Sequence, residues 1–473
     1  MSTAVVVGAG PNGLAAAVAL ARSGVEVTVF EAADRAGGGA STRELTLPGF
    51  AHDVCSAVHP FGASSPFLRG LPLEDHGLEW VHPEVCLAHP LDDGTAGVLY
   101  ADLDRTCDEL GPDGDAWRRT HGYLAAAWDG VTESLLGPLL RWPRRPFTLG
   151  RFGLDALRST VGLCRTRFST PHARALHAGS AAHAMTPLTS PTTAAMGIML
   201  NAAAHGIGWP VARGGSQAIA DALLSYLESM GGTVVTGVTV RRLEELPSAD
   251  AVLLDLVPSQ VLALAGDRLP SRARARYASW KHGPGAFKLD LALDGPVPWT
   301  APGCARAGTV HLGGDLEEIA RSEQAIADGR LAQRPFVLVG QQSVADPTRA
   351  PEGKHTLWAY AHVPNGHRGD VTEAMLDQVE RFAPGFRDRI LATSVRTPAD
   401  LEAGNPNYVG GDIAGGAQGP VQLLRRMASP FPYRTPLRGV YLCGASTAPG
   451  AGVHGMCGYH AARCVLRDLR DPR

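Results

Sequence analysis

The chain has 473 residues, 45% of them hydrophobic and 19% charged, which is enough to bury a large core over two domains and excludes a disordered polymer. A formal net charge of -3 offers no basic surface for nucleic acid. No apolar run is long enough to span a bilayer, and an apolar strand opening at about Ala4 leaves no room for a signal or transit peptide, so the cytoplasm is the expected location.

Val5-Val6-Val7 reads as a buried strand, followed by Gly8, Gly10, Pro11, Asn12 and Gly13 and then an alanine-rich helix. Gly8 permits a tight turn, Gly10 lets the backbone approach a pyrophosphate, and Gly13 lets the helix pack closely on the sheet. The helix N-terminus presents N–H groups and a positive dipole end to the phosphates. Val27 to Phe30 reads as the second strand, ended by Glu31, whose carboxylate suits a ribose diol. After Ala32 comes a second glycine turn, Asp34-Arg35-Ala36-Gly37-Gly38.

The chain then leaves this unit at about residue 70 and returns near Trp209. Ile219, Leu223, Leu224 and Leu227 recur at helical spacing; Thr233 to Val235, Val238 to Val240 and Ala251 to Leu256 read as strands; Pro258 opens another helix. Ala286 to Leu293 alternates with period two, which puts Phe287, Leu289, Leu291 and Leu293 on one face and Lys288 and Asp290 on the other. Phe336 to Val339 and Thr356 to His362 read as further strands of that sheet, and Glu373 to Phe382 as a helix. Gly439 to Gly444 is a closing strand, followed by a glycine loop with Gly450, Gly452 and Gly455 and a helix to about Leu469. That loop matches a dinucleotide motif literally, but its glycines do not directly follow the strand and too little chain remains for a second strand and an acid. It reads better as a lid over the far end of the nucleotide held by the first unit, where a helix N-terminus stabilises negative charge.

Three segments, Gly8 to Thr42, Asn405 to Leu424 and Arg434 to Leu466, resemble the phytoene desaturase-related FAD-dependent oxidoreductases. Within them the chain is most similar to the branch of pyridine nucleotide-disulfide oxidoreductase domain-containing protein 2. It departs from the amine oxidases of the same superfamily at Ala33 and at Gly39, where they carry arginine. The resemblance implies an α/β fold: a discontinuous Rossmann-type FAD-binding domain of the amine oxidase/phytoene desaturase type (1–70, 205–280 and 410–473) and an α+β substrate domain with a helical cap (71–204 and 281–409). It implies that Glu31 holds the adenosine ribose, that Gly8, Gly10, Gly13, Gly37 and Gly38 cradle the diphosphate with Pro11, Asn12, Ala32 and Arg35 beside them, and that Val240 meets the adenine. Gly444, Ala445, Gly452, Val453 and Met456 are expected along the ribityl chain and flavin.

Lys288 is the first candidate for chemistry. It is one of three lysines against forty arginines, and it stands inside a strand where a tunable ammonium could serve the flavin; the alternative is a solvent-facing Lys288/Asp290 pair. His454, in the closing loop, can carry a proton or simply satisfy loop carbonyls. Residues 141–174 interleave eight arginines with apolar Leu139, Leu140, Trp142, Phe147, Leu149, Phe152, Leu154 and Leu157, which suits either a cap helix with solvated arginines or peripheral contact with an anionic membrane. The eight cysteines include no C-x-x-C pair and the histidines no metal-ligand spacing, so disulfide-reductase chemistry and a zinc site are not expected. The expected activity is hydride transfer from a substrate C–H to flavin N5, on an apolar or lipid-like small molecule, with oxygen or a quinone as electron acceptor because no second nucleotide unit is visible. Oxidation of an amine or amino-acid derivative, double-bond isomerisation and a low-turnover binding module are the alternatives.

Overall fold

The computed structural model describes residues 2–139, 142–427 and 432–471. Five strands, β1 (Thr3–Val7), β2 (Glu26–Phe30), β9 (Thr233–Val235), β10 (Ala251–Leu254) and β16 (Val440–Leu442), form one sheet in the order β16-β10-β1-β2-β9, parallel throughout. The chain steps one way from β1 to β2 and the other way to β10, so the crevice beyond the ends of β1 and β10 is a topological switch point.

Both faces of this sheet are covered. On one, Ala4, Val6, Val27, Val29 and Leu253 pack against the helices Pro11–Ala21, Gln217–Ser229 and Met456–Arg470. On the other, Val5, Val7, Leu254, Val440 and Leu442 meet Val261, Leu264 and Ala265 of the helix Pro258–Ala265. Strands buried on both faces need continuous apolar runs, which β1, β10 and β16 have.

A seven-stranded sheet joins β6 (Val85–Pro90), β7 (Ala96–Leu99), β11 (Gly285–Leu293), β12 (Ala307–Leu312), β13 (Val337–Gly340), β14 (His355–Val363) and β15 (Ile390–Arg396) in the order β15-β11-β14-β13-β12-β6-β7. Its pairs are antiparallel except β12 with β6. Phe287, Leu289, Leu291 and Leu293 do share one face, packed with Leu357, Val337 and Val310 against the helix Thr372–Phe382. The other face carries Ala286, Leu338, Trp358 and Tyr360 and is roofed by the helices Pro171–Ala182 and Ala194–Ile207. Two short ribbons complete the strands, β3 (Thr42–Glu44) with β4 (Ala51–Asp53) and β5 (Trp80–Val81) with β8 (Val211–Ala212).

Two expectations need correction. Residues 238–240 are not a strand: β9 already fills the edge of β2, and after Gly237 (φ 71°) the chain turns across the strand end, donating from the N–H of Gly237 and Val238 to the carbonyls of Ala33 and Glu31. The Lys288/Asp290 face does not meet solvent: Lys288 is 2% exposed and Asp290 0%, because this face lies under the roof helices and the β3/β4 ribbon.

Candidate functional site

Two loops and one acid shape the crevice at the switch point. Gly8 (φ 101°) turns the chain out of β1, and Pro11 starts the helix at its first position, where its missing N–H costs nothing. A methyl group on Gly13 would lie 2.0 Å from the Gly8 carbonyl oxygen, so glycine alone allows this approach. Gly38 (φ 52°) sets the second glycine turn against the first, with its own methyl position 3.0 Å from the Gly10 Cα, and the Gly37 N–H donates to the Ala9 carbonyl at 2.9 Å. Glu31 lies beside both turns: its carboxylate accepts from the N–H of Ala9 at 2.6 Å and of Ala33 at 2.9 Å. Ala32 and Gly38 are exposed and Gly10, Pro11 and Glu31 partly so, which leaves the cradle open. Arg35 lies across its outer rim, paired with Asp221 at 2.6 Å, and Asn12 is buried with its Oδ1 unbonded. Val240 packs in the cluster beneath β1 and β10.

The closing strand brings the second loop to the same place. Cys443 N–H donates to Leu254 at 2.9 Å, and a methyl on Gly444 would lie 2.9 Å from Asp255 Oδ1. Ala445 packs on Gly415. The helix that starts at Met456 lies so close to the first helix that a methyl on Gly458 would meet the Asn12 carbonyl at 1.8 Å. Gly450, Gly452 and Gly455 (φ 121°, 137° and 67°) shape the loop between, with Gly452 exposed and Val453 and Met456 buried. His454 is 1% exposed; its Nδ1 accepts the Met456 N–H at 3.0 Å, its other nitrogen faces the carbonyls of Gly450 and Ala451, and burial holds the ring neutral with its pKa lowered to about 4. Both ring nitrogens therefore fasten the loop.

A buried polar seam joins the cradle to the large sheet. Lys288 Nζ hydrogen-bonds Asp290, lies 5.7 Å from the Trp358 ring centroid, and stands opposite Tyr360 and Arg396 in the strand register. Burial lowers the Lys288 pKa and raises that of Asp290, each opposed by its partner's charge. His52 Nδ1 is 3.7 Å from Asp290, with its pKa lowered to about 3 by burial and by Lys288. Beside it the buried Asp53 pairs with Arg349 at 2.8 Å and accepts from the Ser216 N–H and the Thr42 hydroxyl. Lys288 also feels Cys55, which bonds Tyr408.

A methyl on Gly39 would lie 2.2 Å from the Tyr408 hydroxyl oxygen, so the tyrosine fills the space a side chain at 39 would occupy. The sequence offers no signal that places Tyr408 here, but the signal for Asp255 was present: an acid directly after the apolar run of β10, as Glu31 follows β2. All eight cysteines are free, seven of them buried, and no metal-binding cluster occurs among the described residues.

The segment after Leu139 forms helices Pro146–Ala156 and Thr160–Arg167; Leu140 and Arg141 lie outside the described residues. Its arginines are largely engaged: Arg144 with Glu133, Arg158 and Arg167 with Asp155, Arg165 with Glu317, and Arg151 over the Tyr123 ring. Its apolar residues are not all covered: Trp142 is 91% exposed, Phe147 92%, Leu154 75% and Leu157 67%.

Residues 6–70 match the model of an NAD(P)-binding Rossmann-like domain. Across 99% of the chain, and 94% of the relative, the sequence is 28% identical to mouse pyridine nucleotide-disulfide oxidoreductase domain-containing protein 2. It is 27% identical to the neurosporene-forming phytoene desaturase of Rhodobacter capsulatus, over 97% of this chain and 92% of that one. Among solved structures, an oxidoreductase from Methanosarcina mazei superimposes with a TM-score of 0.65 at 18% identity (98% and 100% of the two chains), and a putrescine oxidase bound to putrescine with 0.60 at 19% (99% of each). The fold is thus the α/β Rossmann-like FAD-binding fold that amine oxidases share, with a mixed-sheet second unit.

Proposed function

We propose that this chain, a flavin-dependent oxidoreductase homologous along its whole length with the phytoene desaturases, binds FAD between its two glycine loops and dehydrogenates an apolar small molecule. The observation that carries the reading is the crevice itself. Gly8, Gly10, Gly13 and Gly38 leave bare backbone where a diphosphate would lie, and Glu31, held by two N–H groups, keeps lone pairs for a ribose diol. Bound there, FAD supplies the hydride acceptor. The chain's own residues supply the rest. The first helix directs its N-terminus at the diphosphate, and the loop fastened by His454 closes over the other end. Lys288 and Asp290 hold a proton between them on a face shielded from water. Oxygen or a quinone takes the electrons, since the chain holds one dinucleotide cradle among its described residues.

The test is an absorption spectrum of the purified protein followed by anaerobic bleaching. A flavin spectrum bleached by a polyene or lipid is the expected result; bleaching by amines instead would move the reading to amine oxidation, product without bleaching or oxidant consumption to isomerisation, and no bleaching at all to a binding module. Lys288→Met should slow bleaching at least tenfold with FAD content unchanged; equal rates would remove Lys288 from the chemistry.

An exposed apolar face favours lipid-borne substrate. Trp142, Phe147 and Leu154 are 91%, 92% and 75% exposed, and so, at 69% and 61%, are Val421 and Leu424 on the helix whose Met427 carbonyl accepts the Leu139 N–H. The same segment carries Arg144, Arg145 and Arg151, cations of the type that suits an anionic headgroup layer. No helix among the described residues is long and apolar enough to cross a membrane, so the contact proposed is peripheral. Flotation with anionic vesicles at low salt should carry the protein, and Phe147→Glu with Trp142→Glu should abolish it; failure of the parent protein to float removes the membrane from the proposal.

A further inference from the structure

The Asp255 carboxyl sits in the middle of the cradle, and glycines of both loops surround it. Its Oδ2 accepts the Gly13 N–H at 2.9 Å. Methyl groups on Gly10 and Gly13 would lie 2.9 and 3.2 Å from Oδ2, and one on Gly444 would lie 2.9 Å from Oδ1. Its backbone is held as well: the Asn407 side-chain amide donates to the Asp255 carbonyl at 3.1 Å while its Oδ1 accepts the Val257 N–H at 2.9 Å. The side chain is therefore fixed at the N-terminus of the first helix, on the N–H that a diphosphate-binding helix would offer.

The titratable groups facing it are the Glu31 carboxyl at the end of β2, the Tyr408 hydroxyl, and the Cys443 and Cys457 thiols. None of them is a cation. A dianionic diphosphate arriving here meets one carboxylate at the rim and a second at the centre, with N–H dipoles to offset them and Arg35 farther out, already paired with Asp221.

We propose that Asp255 is a positioning residue for the FAD diphosphate that works as the neutral acid: FAD binding draws one proton from solvent onto Asp255, and the acid O–H then donates to a diphosphate oxygen while the other oxygen keeps the Gly13 N–H. The inference rests on the FAD reading above. The free protein is already prepared for it, since burial pushes the Asp255 carboxyl up to about 7, with Glu31 adding to the rise and the Gly13 N–H opposing it. The diphosphate diester does not titrate near neutral pH, so a proton taken up on binding comes to the protein.

The experiment is titration of apo-protein with FAD, followed by quenching of flavin fluorescence, from pH 6 to pH 9. Affinity should be level below pH 7 and fall about tenfold per unit above it, the signature of one linked proton. Asp255→Asn keeps the shape and cannot ionise, so its affinity should be flat over the same range. Calorimetry of the unaltered protein at pH 8, in two buffers of different ionisation enthalpy, should show about one proton taken up per FAD; this measurement stands even where the variant does not fold. A flat profile or zero proton uptake in the unaltered protein overturns the inference, as does an Asn variant that retains the slope. Absence of FAD binding at every pH would instead overturn the FAD reading itself.

Discussion

The two sheets of this molecule solve their packing problem in opposite ways. The five-stranded sheet and its helices are held mainly by aliphatic contacts and bare backbone: Ala15, Ala16, Ala17, Val18 and Leu20 of the first helix are fully buried, and Asp255 lies among glycines at its centre. The seven-stranded sheet and its roof bury a dense set of ionisable side chains instead, with His89, His121, His177, His311 and His362 all at 2% exposure or less. These contact one another: His121 bonds His177 at 3.1 Å, His183 bonds His311 at 3.2 Å, and His362 bonds Glu323 at 2.8 Å. A backbone cradle depends on shape, whereas a polar interior depends on protonation state. The two halves should therefore respond to different perturbations.

Acid should separate them most strongly. Burial lowers the pKa of His89 to about 4, of His177 to about 3, of His183 to about 3 and of His205 to about 4. These groups are neutral when folded and have ordinary values near 6.5 when unfolded. Between the two values the unfolded chain binds more protons, so stability rises with pH across that window. It is complete above about 6.5 and lost as pH falls toward 4. At pH 5 each such histidine withdraws about 2 kcal/mol, and a few together match the whole stability of a domain. Thermal unfolding should fall steeply below pH 6, and hydrogen exchange at pH 5 should show the helices Pro171–Ala182 and Ala194–Ile207 opening before Pro11–Ala21. Equal loss of protection in both halves would dissolve the contrast.

The seam between the sheets should break next. Arg349→Met leaves the Asp53 carboxylate buried with its hydroxyl and N–H donors but without its cation, a change that costs about 3–5 kcal/mol. Arg349 normally helps hold Asp53 below the usual carboxylate range, so the variant should recover stability as pH drops and the carboxyl takes a proton, opposite in sign to the histidine trend. Urea melts of the variant at pH 7 and pH 5.5, compared with the parent, read the difference directly.

What could be read from the residues follows the same division. The cradle was legible because its determinants are local: strand, glycines, helix, second strand and Glu31 fall within a few dozen consecutive positions. The second sheet was legible only where one strand carries its own alternation, as Phe287 to Leu293 does. β6 and β12 are short, and the parallel pairing that joins them brings together residues more than two hundred positions apart, such as Leu87 opposite Thr309. The burial of Lys288 was misjudged for the same reason. Period two tells which face a residue takes, not whether helices from 171–207 roof that face. Tyr408 shows the converse case, in which the missing side chain at Gly39 became intelligible once a distant residue was found in its space.

The smallest effects test whether shape alone governs the cradle. Gly13→Ala and Gly150→Ala make the same chemical change inside helices. At Gly13 the new methyl meets the Gly8 carbonyl at 2.0 Å, and backbone cannot rotate aside as a side chain can, so the substitution should cost about 1–3 kcal/mol and weaken FAD binding at every pH. At Gly150 nothing lies within 4 Å, and alanine should stabilise the helix Pro146–Ala156 by about 0.5–1 kcal/mol. Melts of the two variants should thus move in opposite directions. If Gly13→Ala melts like the parent, the first helix does not need its close approach to β1, and the argument for a backbone-lined phosphate site weakens with it. If it melts lower yet binds FAD as the parent does, the glycine serves helix packing, and the diphosphate contact must come from Gly10, Gly38 and Asp255 instead.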